Sequence, residues 1–255
     1  MPKLLSDFKV VDNKCINEEF FVLELSQSEK LPELNPGQFV QVKIENSQNT
    51  FLRRPFSIHD VDLGKNTLKI LIQIVGAGTK RLSQIDKGEL INIIYPLGNS
   101  FTIPVSGEKV LLIGGGCGIA PLLYLGRSLK LQGLEPEFLF GFRNSKRILE
   151  YSEYESLGKV WLTTEDGSAG ISGLVIDHPV LSKNNYNKIY CCGPELMMKA
   201  VGKYCKNNNI FCEVTLENMM ACGIGACLCC VVDTVKGNLC SCTDGPVFNI
   251  NDLKW

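Results

Sequence analysis

Apolar and polar positions alternate through most of the first hundred residues. The strand-like runs are EEFFVLEL (18–25), GQFVQVKI (37–44), TLKILIQIV (67–75) and ELINIIY (89–95). Turn signals separate them at Asn35-Pro36-Gly37, Leu63-Gly64-Lys65-Asn66 and Pro96-Leu97-Gly98-Asn99. Short strands at this spacing predict an antiparallel barrel or sandwich. One helical segment, from about Thr79 to Ile85, interrupts it.

From Lys109 the texture changes. KVLLIGG (109–115) is a continuous apolar run ending in glycines, followed by a helix-like APLLYLGRSLKLQG (120–133). PEFLFGF (136–142), KVWLTTE (159–165) and NKIYCCG (187–193) follow, each a short buried-type strand with helical stretches between them. That alternation predicts a parallel sheet covered on both faces. The remainder, from Glu213, holds a cysteine cluster and finishes TDGPVFNINDLKW. The expected fold is therefore β plus α/β: an antiparallel β-barrel over 1–103, a parallel-sheet α/β domain over 104–212, and a small cysteine-bearing domain over 213–255.

Composition narrows the function. The 255 residues are 45% hydrophobic and 21% charged, ordinary values for a globular protein with proper cores. The net charge of −1 and the lack of a basic run argue against nucleic acid as a partner. No apolar run approaches the roughly 20 residues that span a bilayer. The first residues, MPKLLSDFKVVDNKC, contain no signal-peptide core, which points to a reducing cytoplasm. There, twelve cysteines favour metal ligation over disulfides.

Four stretches carry chemistry. Leu52-Arg-Arg-Pro-Phe-Ser-Ile58 is an extended segment with an arginine fork. Val75-Gly-Ala-Gly-Thr79 ends a strand and opens a helix, with Gly78 allowing close backbone approach and Thr79 as its N-cap. Free N–H groups there suit a phosphate, so the two segments together suit a pyrophosphate joined to a flat ring. Ile113-Gly-Gly-Gly-Cys-Gly-Ile-Ala-Pro121 follows a strand and opens a helix, as a dinucleotide phosphate cradle does, although Ile119 breaks a strict G-x-G-x-x-G. The second strand ends Phe140-Gly-Phe-Arg143 without an obvious ribose-binding acid, so NAD and NADP both remain open.

The fourth stretch is Met220-Ala-Cys-Gly-Ile-Gly-Ala-Cys-Leu-Cys-Cys230. Cys222-x4-Cys227-x2-Cys230 has the spacing of plant-type [2Fe–2S] loops, with Cys242 available as fourth thiolate. Gly223 and Gly225 suit a loop that wraps a cluster and turns its N–H groups toward sulfur. A structural zinc is the rival, but zinc knuckles favour paired C-x2-4-C spacings. Cys229 and Cys240 are spare thiols in this reading. Cys15, Cys205 and Cys212 are core or surface thiols, and Met197-Met198 is helix core. His59 and His178, the two histidines, are expected at the surface. With so few histidines no hydrolytic set is supported, and no catalytic acid or base is assigned.

Together these motifs resemble the ferredoxin–NADP reductase superfamily. More narrowly, they resemble the iron–sulfur electron-transfer subunits of class 1B dihydroorotate dehydrogenases, over nearly the whole chain. The resemblance assigns FAD to Arg54, Pro55, Phe56, Ser57, Leu71, Ile72, Gln73, Gly78 and Thr79. It assigns the nucleotide to Gly114, Gly115, Gly116, Gly118, Ala120 and Pro121, to Asp166 in Thr164-Glu-Asp-Gly-Ser168, and to Cys192, Gly193 and Pro194 near the nicotinamide. It assigns the [2Fe–2S] cluster to Cys222, Cys227, Cys230 and Cys242, the last in a distinctive C-x-D-G-P-V-F ending. It implies NAD as substrate, and electron flow from the FMN of a dihydroorotate dehydrogenase catalytic subunit through cluster and FAD. The implied assembly is a heterotetramer of two of each chain, serving de novo pyrimidine biosynthesis. A free-standing NAD(P)H reductase for ferredoxin or a sulfur acceptor, a transhydrogenase-type subunit, and a zinc-stapled module are the alternatives.

Overall fold

The computed structural model describes residues 2–47, 50–183 and 185–255. The first unit contains β1 (Leu4–Asn17), β2 (Phe20–Ser26), β3 (Phe39–Val42), β4 (Arg54–Ser57), β5 (Asp60–Asp62), β6 (Thr67–Gln73), α1 (Ala77–Leu82) and β7 (Leu90–Leu97). Its strands form one antiparallel sheet in the order β4-β3-β7-β1-β2-β6-β5. The sheet curls until β4 touches β6, which closes a barrel. Strand β1 is absent from the sequence expectation because LLSDFKVVDNKCIN is half polar and largely uncovered, with only Phe8 and Val10 buried. The tight β1–β2 turn is held by Asn17, whose side-chain oxygen accepts the Glu19 and Phe20 N–H groups.

The second unit contains β8 (Val110–Gly115), α2 (Ala120–Leu131), β9 (Glu137–Phe142), α3 (Tyr151–Glu155), β10 (Val160–Thr164), β11 (Ile171–Ser172), α4 (Val180–Lys183), β12 (Lys188–Cys192), α5 (Glu195–Asn207) and β13 (Phe211–Thr215). The strands run parallel in the order β11-β10-β9-β8-β12-β13. The tail adds a hairpin of β14 (Val231–Thr234) and β15 (Gly237–Cys240), then β16 (Val247–Asn249), which pairs antiparallel with β13. The boundary expected between 212 and 213 therefore falls inside β13, and the tail returns to the α/β sheet as its edge strand.

Residues 20–25 explain why their run is continuous rather than alternating. Phe21, Leu23 and Leu25 enter the barrel core, while Phe20 and Val22 enter the core of the α/β unit beside Ile119, Leu122 and Tyr154. A strand buried on both faces needs apolar side chains at every position. The two units thus share a dry interface instead of meeting through a linker.

Polar contacts fix that interface. Arg127 grips Asp60 with Nε and Nη2 at 2.9 and 3.1 Å, and the Tyr124 hydroxyl donates to the Leu34 carbonyl at 2.7 Å. His59, expected at the surface, is 1% exposed. Its ring nitrogens lie 2.7 Å from the Ala120 carbonyl and 2.7 Å from the Glu150 carboxylate. Burial alone would raise the Glu150 carboxyl, but the bonds and charges of His59 and Lys14 bring it below its usual value. His178 is likewise buried rather than at the surface, against Trp161, with Nδ1 accepting the Val180 N–H. His59 bonds across the two units and His178 holds the Val180 N–H beneath Trp161, roles their isolated sequence positions do not announce. Cys205, Cys212 and Met198 are core residues, as expected, Cys15 is exposed, and Met197, expected in the helix core, is only half-buried.

Candidate functional site

Three segments from the three parts of the chain converge on one cleft of about 880 Å³. The barrel contributes Phe20 and Gln73, the α/β unit Gly115 to Gly118 and Gly193 to Met198, and the tail Leu216 to Asn218 and Trp255. In the parallel sheet this is the carboxyl end of β8 and β12, where open α/β folds place their ligands.

The barrel wall begins with β4. Arg54, Pro55, Phe56 and Ser57 are all half-buried beside β3, so their outer faces stay open. Leu71 and Ile72 are buried, and Gln73 ends β6 in the cleft. Helix α1 starts three residues earlier than expected. Gly76 is its N-cap, and Thr79 lies in the first turn. The Thr79 hydroxyl accepts the Val75 and Gly76 N–H groups at 2.9 and 3.2 Å, so it ties the N-cap residue and the strand end from N3 instead of being the N-cap itself. Gly78 is packed under Thr50, while the Gly76 side faces open space.

The nucleotide loop is built by close contact. A Cβ at Gly118 would stand 2.4 Å from the Cys192 carbonyl oxygen, one at Gly114 2.7 Å from Ile119 Cγ2, and one at Gly193 2.9 Å from the Gly115 nitrogen. These glycines let residues 114–118 lie directly on residues 192–194. Gly116 differs: it has φ +54° and nothing within 4 Å, so it faces the cleft. Ala120 and Pro121 are buried at the start of α2, with Pro where its missing N–H is not needed. Asp166 lies outside the cleft lining. Its Oδ1 accepts the Ser168 N–H and hydroxyl at 2.9 and 2.6 Å, and these bonds hold its carboxyl below the usual range. Its neighbour Glu165 lines the cleft instead.

At the cleft base Cys192 is buried, with its Sγ 3.9 Å from Glu217 Oε1. Burial, reinforced by Glu217, pushes the Cys192 thiol far up, and burial raises Cys117 to about 12. Glu217 opens onto the cleft yet is crowded by protein on its other sides, and that desolvation raises its carboxyl. Sequence reading missed Glu217; a single acid in the apolar run Val214-Thr-Leu-Glu-Asn-Met219 was the available signal.

The cysteine loop lies on the barrel. Cys230 and Cys242 are buried with Phe39 and Leu97. The β14–β15 hairpin, which starts after Cys230 and ends at Cys240, returns the chain so that the Cys242 N–H donates to Cys230 Sγ at 3.4 Å. Cys222 receives the Ile224 and Ala226 N–H groups at 3.4 and 3.3 Å. The Ile224 N–H, with Cys227 and Ala226 adding to it against a smaller burial cost, lowers the Cys222 thiol to about 6. Burial, and then the adjoining Cys230 thiol, raises Cys242 to about 12. Cys222 adjoins Cys227 and Cys230 adjoins Cys242, with Cys240 also against Cys230. Among the described residues no three His, Cys, Asp or Glu side chains are spaced to hold a single metal ion. Two pairs suit a two-iron centre, which takes two thiolates on each iron. The structure also separates the two spares: Cys229 is exposed, whereas Cys240 is half-buried against Cys230. Asn99 explains the Asp-Gly-Pro-Val ending, since its side chain donates to the Asp244 and Val247 carbonyls and accepts the Val247 N–H.

Comparison with known proteins agrees with this geometry. Residues 217–254 match the iron–sulfur cluster binding domain of dihydroorotate dehydrogenase B, and residues 7–101 match the oxidoreductase FAD-binding domain. The electron transfer subunit of dihydroorotate dehydrogenase B (NAD(+)) from Caldanaerobacter subterraneus subsp. tengcongensis is 40% identical over 94% of each chain. The chain belongs to the family of dihydroorotate dehydrogenase B electron transfer subunits. The family member from Clostridium perfringens is 38% identical, again over 94% of each chain. Among solved structures, an NADH-dependent reduced ferredoxin–NADP oxidoreductase superimposes with a TM-score of 0.88 at 27% identity, covering 97% of this chain and 90% of that one. The ferredoxin reductase of carbazole 1,9a-dioxygenase shares the fold at 19% identity, with a TM-score of 0.70 over 82% of this chain and 67% of that one. Among the described residues no helix is long and apolar enough to cross a membrane.

Proposed function

We propose that this family member carries electrons between NAD and a dihydroorotate-oxidising catalytic partner, through FAD and an iron–sulfur cluster, in pyrimidine biosynthesis. The observation that carries the reading is the single cleft bordered by the barrel, the nucleotide loop and the residue leading into the cysteine loop. A nicotinamide exchanges two electrons as hydride and a cluster takes one, so a flavin between them supplies the conversion.

The residues present fit these groups. Arg54 to Ser57, Leu71 to Gln73, Gly78 and Thr79 would hold FAD, the arginine and the opened turn before α1 serving its pyrophosphate. Gly114 to Gly116, Gly118, Ala120, Pro121 and Cys192 to Pro194 would hold NAD, with the open Gly116 as cradle and the close-packed glycines fixing its position. Asp166 would act by shaping its loop through Ser168, since its own acceptor is engaged there. Cys222, Cys227, Cys230 and Cys242 would ligate a [2Fe–2S] cluster. Cys192, buried behind the cleft, would be oriented by its 3.9 Å contact with Glu217, which opens onto the cleft.

The partner in this reading is an FMN-containing catalytic subunit, in a heterotetramer of two of each chain, in the cytoplasm, with twelve free thiols suited to a reducing compartment. Protein purified without oxygen should carry about one FAD and two irons per chain. Alone, it should reduce ferricyanide with NADH and neither oxidise dihydroorotate nor reduce orotate. Adding the partner should restore NAD-linked turnover. The likeness to the NADH-dependent ferredoxin–NADP oxidoreductase favours a second reading, service to a soluble ferredoxin. Coupling to ferredoxin but to no FMN subunit would select it.

A further inference from the structure

Strand β3 reads Phe39-Val40-Gln41-Val42, and its side chains alternate between two environments. Val40 and Val42 enter the barrel core, while Phe39 packs with Cys230 and Cys242 on the opposite face. Gln41 shares the Phe39 face, where an amide in a barrel strand ordinarily meets water. Here the cysteine loop covers it. Gln41 is 0% exposed. A Cβ at Gly223, the residue after Cys222, would lie 2.7 Å from its Cγ and 2.8 Å from its Nε2. Neither Nε2 nor Oε1 has a hydrogen-bond partner in the protein. A buried amide left unpartnered carries its full desolvation cost, so the position calls for a partner that the polypeptide does not supply. On its other side Gln41 pairs with Pro55 of the strand read as the flavin site.

We propose that Gln41 is a positioning residue on the electron path, its side-chain amide donating to a sulfur of the iron–sulfur centre and raising that centre's reduction potential. The proposal rests on the assignment of the cysteine loop as the cluster site. Reduction adds one negative charge to the centre, and an N–H donor aimed at its sulfurs stabilises the reduced form more than the oxidised one. The Ile224 and Ala226 N–H groups do this at Cys222 from within the loop. Gln41 adds a donor from the barrel side, the side that carries the flavin strand. Gly223, at φ +69°, leaves room for it, since a side chain there would displace the amide.

The test uses the full chain loaded with FAD and cluster under anaerobic conditions. Gln41→Met keeps the volume under Gly223 and removes both N–H donors. Gln41→His restores a donor. The readout is a redox titration of the cluster followed by its paramagnetic signal, with the FAD midpoint as internal reference. Gln41→Met should disfavour cluster reduction about tenfold, ~59 mV downward for a one-electron couple, with FAD unmoved. Gln41→His should recover part of that shift. A loaded Gln41→Met cluster at the wild-type potential, or FAD and cluster moving together, overturns the proposal. Wild-type protein labelled with 15N-glutamine should also show a weak nitrogen coupling to the reduced cluster. Its absence overturns the proposal even where the variants do not load. A wild-type chain purified without iron would instead refute the ligand assignment on which the proposal stands.

Discussion

The nucleotide loop, residues 114–121, and the cysteine loop, residues 220–230, are both glycine-rich, yet they are built on opposite principles. The glycines at 114 and 118 are pressed against Ile119 and the Cys192 backbone, and the loop is an extension of a fully buried strand. Its shape is complete without any ligand. The cysteine loop has no regular secondary structure from Leu216 to Cys230, exposes Met219 and Leu228, and directs backbone N–H groups at a thiol. Its Gly223 and Gly225 have left-handed φ values of +69° and +88°, which serve the winding of the chain around a centre. One loop is held by packing; the other is arranged for a group that organises it.

The sharpest break of this comparison is Cys230→Ser. Removing this buried thiol should abolish bound iron and the cluster's visible absorption while FAD content and NADH reduction of FAD survive, because the residues read as the FAD and NAD sites lie outside 220–230. Cys229→Ser, at an exposed position, should keep the iron. Loss of FAD together with iron in Cys230→Ser would show that the loops are not independent.

Gly118→Ala attacks the packed loop. Its new methyl would meet a backbone oxygen at 2.4 Å, so the cost should be about 1–3 kcal/mol of stability, a fall of several degrees in Tm by calorimetry. Iron content should be unchanged. Gly116→Ala is the milder counterpart. Nothing crowds that position, but its φ of +54° disfavours a side chain by about 1 kcal/mol, and weaker NADH binding by titration should be its main effect.

The smallest expected effect concerns pH. Desolvation raises the Glu217 carboxyl above its usual 4.5. A carboxyl raised in the folded state binds protons that the unfolded chain has lost, so its cost is absent below 4.5, grows as pH rises through the raised value, and is full above it. Glu217→Gln removes that cost. The melting temperature of the variant relative to wild type should therefore be higher at pH 8 than at pH 4, and an equal difference at both would show that Glu217 is not desolvated.

Much of this was legible in the residues. The apolar periodicity predicted β2, β3, β6 and β7, and the glycine-ended run predicted β8 and the turn into α2. Cysteine spacing singled out Cys222, Cys227, Cys230 and Cys242, and the fold sets Cys222 beside Cys227 and Cys230 beside Cys242, with Cys240 also against Cys230. These features are local: a strand's alternation or a ligand spacing of two and four residues is set by backbone geometry within a few positions. Polar β1 was hidden because its neighbours, not its own composition, hold it in the sheet.

What only the tertiary structure decided are the meetings of distant segments. His59 and His178 look like surface residues until another part of the chain covers them. Thr79 reads as an N-cap until the strand before it donates to its hydroxyl. Glu217 acquires its raised carboxyl from the protein crowded around it, against the opposing bond of Cys192, and Gln41 becomes a buried, unpartnered amide because a loop some 180 residues away lies over it. Local sequence determined most of the strands and the spacing of the cysteine loop, since both depend on positions a few residues apart. Burial of a polar group depends on what arrives from elsewhere, and that is a property of the fold alone.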